Sequence, residues 1–150
     1  MNRVVLASTL LIAGWMTVAV TTVPAVALAQ STPTPATAAE AAPFLGDWTL
    51  TMQGPDRAAA FDLTIKVEGE KVVGEISAAE MAKEFVPEAW MAEKTLKMRY
   101  SFNYQGNPVE GVISLTPGAD KTDAQIDFAN GAYVLNGTAA KKAPTKPGVE

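Results

Sequence analysis

Between positions 60 and 67 every second residue is large and apolar. Phe61, Leu63, Ile65 and Val67 alternate with Asp62, Thr64 and Lys66. Successive side chains of an extended chain point to opposite faces, so this period of two describes a strand with one buried and one wetted face. The pattern recurs along the chain. Trp48, Leu50 and Met52 alternate with Thr49 and Thr51, and Leu96, Met98, Tyr100, Phe102 and Tyr104 alternate with Lys97, Arg99, Ser101 and Asn103. Shorter versions occupy 72–76, 109–115, 124–128 and 133–139. Turn formers separate them: Gly54-Pro55-Asp56, Glu68-Gly69-Glu70-Lys71, Gln105-Gly106-Asn107-Pro108, Pro117-Gly118-Ala119-Asp120 and Asn130-Gly131. The last pair is expected to make a type I′ hairpin turn, because both residues accept positive φ. Seven strands in sequential hairpins predict an all-β, antiparallel, up-and-down barrel.

Positions 77–93 break the rhythm. Ser77-Ala78-Ala79-Glu80 matches a helix capping box, good helix formers follow, and Met81 and Phe85 stand four apart. Pro87 forbids one uninterrupted helix. The expectation is a short helix near 78–84, then a broken edge strand through 85–91 that brings the barrel to about eight short strands. A helical lid is the alternative for this stretch. An open curled sheet closed by a helix and a two-layer sandwich are the alternatives for the whole.

The N-terminus reads as a targeting segment. Arg3 precedes a nearly unbroken apolar run over 4–20, and Ala27-Leu28-Ala29 forms an A-x-A cleavage site. A signal peptide over 1–29 is expected, with an uncleaved membrane anchor as its alternative. The mature protein is then secreted or periplasmic, without membrane association after cleavage. A Pro/Thr/Ala-rich tether over 30–43 follows, carrying a second capping box at Thr37-Ala38-Ala39-Glu40 before Pro43. That turn is either a plug under the barrel or a frayed linker. The barrel domain spans 44–142, and 143–150 is expected to be a disordered tail.

The residues that are missing limit the chemistry. The chain has no histidine and no cysteine. The commonest general base and metal ligand are therefore absent, as are thiolate nucleophiles, Cys-ligated zinc and disulfides. Without Arg3 the balance is 11 basic to 16 acidic residues, a net charge of −5, with the signs interspersed. No basic patch points to nucleic acid. The carboxylates at Asp62, Glu75, Asp123 and Asp127 fall on the predicted outer face, with no calcium-loop spacing and none inward as an acid pair requires. A Ser–Lys nucleophile stays open. The expectation is a non-enzymatic protein with no catalytic residue, metal site or cofactor.

Gly46-Asp47-Trp48, opening the first strand, resembles the G-x-W signature of lipocalins and the wider calycin group. The resemblance implies a lipocalin-like eight-stranded barrel with the tryptophan at a closed end, under a short N-terminal helix. It also implies a basic residue past the last strand packing over that tryptophan, a role open to Lys141 or Lys142. No T-D-Y-type motif is present, and the strands are short for that family. Positions 44–142 are also similar to small bacterial secreted barrels, some of them apparently appended to larger hydrolases. Asp-Leu-Thr-Ile, Tyr-Gln-Gly-Asn-Pro-Val and Gly-Thr-Ala-Ala-Lys-Lys carry that similarity, which implies no function.

The predicted inner face is rich in flat or flexible side chains. Trp48, Met52, Phe61, Met98, Tyr100, Phe102, Tyr104 and Tyr133 are the candidate ligand-binding residues, for a small apolar molecule; Phe128 shares their face. An eight-stranded barrel is just wide enough to hold one small ligand or to be filled by its own side chains. Gly74, Gly111, Ala124 and Gly137 either leave a cavity or let larger neighbours interdigitate. The two functions expected are a small-molecule binder and a structural or protein-interaction module with a filled core.

Overall fold

The computed structural model describes residues 32–144. The expected signal peptide over 1–29 lies outside the described residues, as do 145–150 of the tail. A four-residue helix α1 (Ala38–Ala41) and a 3₁₀ turn (Ala42–Phe44) lead into nine strands. These are β1 (Gly46–Gln53), β2 (Ala58–Glu68), β3 (Lys71–Ala78), β4 (Met81–Val86), β5 (Glu88–Ala92), β6 (Thr95–Tyr104), β7 (Asn107–Pro117), β8 (Thr122–Phe128) and β9 (Tyr133–Lys141). They form one antiparallel sheet in the order β4-β3-β2-β1-β9-β8-β7-β6-β5. β1 pairs with β9, Trp48 facing Lys141 and Met52 facing Gly137. The two edge strands, β4 and β5, are separated in the chain by Pro87 alone.

The alternation read from the sequence matches the burial of the central strands. Leu50, Met52, Leu63, Ile65, Ile76, Met98, Ile113, Leu115 and Ile126 are fully buried in one cluster on the inner face. Each such side chain contributes about 1.5–3 kcal/mol on leaving water. The small residues let the large ones interdigitate. A Cβ on Gly74 would stand 2.8 Å from the Met98 methyl, and one on Gly111 would stand 2.6 Å from the Tyr100 ring. At Gly137 an added Cβ would collide with the Thr51 carbonyl, so this glycine lets β9 approach β1.

Three local expectations are corrected. No helix forms near 78–84: Ala79 and Glu80 are a turn, and Met81–Val86 is strand β4, paired with β3. Helix propensity there is a few tenths of a kcal/mol per residue. It is outweighed by burying Val86 completely and by supplying partners to the edge of β3. The expected eighth strand is thus two strands, and the count is nine. A two-residue turn with positive φ at both positions falls on Gln105-Gly106 (φ 51° and 84°), between Tyr104 and Asn107. Asn130-Gly131 takes positive φ as expected (56° and 90°) in the β8–β9 hairpin, but within a four-residue loop over 129–132, where the Asp127 carboxylate accepts the Gly131 N–H at 2.6 Å.

The tether is also more ordered than its composition suggests. Pro35 bridges Trp90 of β5, and Ala36 is buried with its N–H donating to the Ala89 carbonyl at 2.8 Å. The second capping box forms as read, with Thr37 and Glu40 exchanging hydrogen bonds. The amide and hydroxyl of Thr37 hold the Glu40 carboxyl below its ordinary range. Ala41 and Phe44 are buried in the same core cluster as the inner face of the sheet, so the segment read as a plug packs against the sheet and is not frayed.

Candidate functional site

The two ends of the sheet differ. At one end the plug runs into β1 and fixes Trp48. The indole Nε1 donates to the Phe44 carbonyl at 2.7 Å, and the Lys141 ammonium lies 5.6 Å from the ring centroid. Lys141 also donates to the Pro43 carbonyl at 3.4 Å, while Lys142 turns away to pair with Asp62 at 2.8 Å. Trp48 and Met52 are therefore core residues, and the lysine over the indole is Lys141.

The opposite end carries the β1–β2, β3–β4, β6–β7 and β8–β9 connections. An open groove of about 730 Å³ lies there, lined by Met81, Glu84, Phe102, Tyr104, Phe128 and Tyr133, with Glu80, Ala82 and Asn103 at its margin. Three of the eight sequence-predicted residues thus come together: Phe102, half-buried, and Tyr104 and Tyr133, 60% and 71% exposed. Tyr133 faces Phe128 across the β8–β9 pair, and Phe102 meets Phe128 edge to face at 5.7 Å. Phe61 is half-buried against the core, and Met98 is fully enclosed; neither lines this groove.

Tyr100 belongs to the layer beneath. Its ring stacks on Phe102 at 5.7 Å and packs over Gly111, which is the β7 partner of Phe128. The residue is 1% exposed, yet its hydroxyl has no hydrogen-bond partner among the described residues. Burial, reinforced by the charge of Glu84, pushes the phenol well above its usual range, so it stays neutral.

Glu84 is the residue that sequence reading missed. Residues directly opposite in an antiparallel pair share a face, and Glu84 stands opposite Ile76, which is fully buried. Its side chain therefore leaves β4 on the inner face and lines the open groove, which corrects the expectation that no acid is on that face. The helix assigned over 78–84 hid this; placing 84 and 86 on one strand face would have revealed it. Among the described residues Glu84 forms no ion pair, whereas Glu80 pairs with Arg57 at 3.3 Å on the surface. No group of three or more potential metal-ligating side chains comes together among the described residues. No protein-family model, no curated protein and no solved structure was found to match the chain.

Proposed function

We propose that this is a secreted or periplasmic, non-enzymatic barrel protein that binds a small, largely apolar molecule at the rim opposite the plug. The observation that carries this reading is the aromatic groove itself. Phe102, Tyr104, Phe128 and Tyr133 turn flat surfaces toward one open space, while the rest of the inner face is packed solid. Pockets for small molecules are concave and mostly apolar, with a few convergent polar groups, and this groove has that composition. The site is thus shifted from the middle of the barrel to its mouth, and Trp48, Met52 and Met98 serve as its supporting core.

In this reading β4, Pro87 and β5 act as one bent stave. Its first half pairs with β3 and its second with β6, joining the two edges of the ladder through a single residue. The plug and the Lys141–Trp48 contact support a lipocalin-like arrangement. The signal-like 1–29 segment supports export.

The filled lower core favours a second reading, a structural or interaction module without ligand. Titration with the neutral, environment-sensitive dye N-phenyl-1-naphthylamine separates the two. Saturable one-to-one uptake that is lost in Tyr104→Ala/Tyr133→Ala is the expected result. Absence of saturable uptake by the wild-type protein leaves the filled module.

A further inference from the structure

The rim groove combines features that a plain hydrocarbon would not use. Its walls are aromatic faces, and aromatic faces attract cations. It is lined by carboxylates at Glu80 and Glu84, and neither lysine nor arginine lines it. Glu80 is exposed and already paired with Arg57. Glu84 is half-buried, inward-facing and without a countercharge among the described residues. Tyr100, whose buried hydroxyl has no partner among the described residues, stacks on Phe102 and lies outside the groove lining.

A carboxylate on a partly enclosed apolar wall gains from a countercharge. An ammonium in the groove supplies that countercharge to Glu84. An apolar body attached to that ammonium lies against Phe102, Phe128 and Tyr133. A carboxylate or phosphate would instead meet like charge, and a neutral hydrocarbon would leave Glu84 without a countercharge.

We propose that the groove takes small organic ammonium ions, protonated amines carrying a flat apolar body, with the charge held at Glu84 and the body on the rim aromatics. The proposal rests on the reading of the groove as a ligand site and specifies the ligand class.

Calorimetric titration at neutral pH and low salt with three matched probes tests it: 1-naphthylmethylammonium, 1-naphthylmethanol and 1-naphthoate. The ammonium should bind about tenfold more tightly than the alcohol, the order expected for a cation moved onto desolvated aromatic faces beside a carboxylate. The naphthoate should bind most weakly. Glu84→Gln, nearly isosteric, should reduce the ammonium to the alcohol's affinity and leave the alcohol unchanged. Glu80→Gln should preserve the preference. Backbone amide shifts at Phe102, Tyr104 and Phe128 should report the same site for the ammonium and the alcohol. Alcohol binding equal to or tighter than ammonium binding overturns the proposal while leaving the groove as a binding site. So does a preference that survives Glu84→Gln in a variant with wild-type melting. Failure of all three probes to bind overturns both readings together.

Discussion

Trp48 and Tyr100 are both buried aromatic side chains carrying one polar atom, and they differ in what that atom meets. The Trp48 N–H finds the Phe44 carbonyl at 2.7 Å, and its ring lies beneath the Lys141 ammonium. The Tyr100 hydroxyl has no hydrogen-bond partner among the described residues, although its ring packs tightly on Gly111 and Phe102. The plug end is therefore finished as a structural element. The other end keeps one unmatched polar atom, the Tyr100 hydroxyl, below exposed aromatic surface. An unsatisfied hydroxyl weakens a fold, so the contrast separates an end whose buried polar atom is matched from an end where it is not.

Substitutions on the two sides should differ in sign as well as size. Trp48→Ala should show the largest effect, a loss of about 3–5 kcal/mol in denaturant unfolding, because it leaves a cavity under the plug and orphans the Phe44 carbonyl. A variant as stable as wild type would remove Trp48 from its organising place. Tyr100→Phe should go the other way. Deleting a buried hydroxyl with no partner is expected to raise the stability of the ligand-free protein by about 1 kcal/mol, read as a higher denaturation midpoint. A loss of stability would mean that the hydroxyl is satisfied and the contrast is false.

Smaller effects sharpen the picture. A double-mutant cycle between Lys141→Ala and Trp48→Leu should give a coupling of about 0.5–1 kcal/mol, the scale of an exposed cation–π contact. Zero coupling would reduce Lys141 to its hydrogen bond with Pro43. At the rim, Tyr133→Ala should change folding stability by less than about 0.5 kcal/mol, since the side chain is 71% exposed. A large loss there would turn the rim into core.

The strands were legible because their period is local: Phe61 through Val67 is recognisable without knowing what it packs on. The plug was legible too, since Thr37 and Glu40 stand close enough in sequence to satisfy each other. Positions 78–86 were not. Their helix propensity is real, and only the unpaired edge of β3 and the space that Val86 fills make them a strand. Both are tertiary facts. The candidate site failed in the same way. Phe102, Tyr104 and Tyr133 were visible as inner-face residues, but their meeting in one groove depends on strand register. Glu84 became an inward acid only once β4 was paired with β3. The four-residue loop at Asn130-Gly131 shows a similar competition, the Asp127 carboxylate capturing an amide that a two-residue turn would have used differently.

Pro35 and Ala36, by lying along β5, bear on how the protein behaves in a crowd of its own copies. A strand at the border of a sheet offers free carbonyls and amides that invite pairing by any extended chain. Here one such carbonyl, that of Ala89, is already occupied by the Ala36 amide. The residue before it is a proline, which has no amide to offer an incoming strand. The short strap thus blunts the border it covers. A chain trimmed to begin at Thr37 would keep the core side chains of the strands and of α1 but lose the buried Ala36 and expose the β5 border, with self-association as the cost.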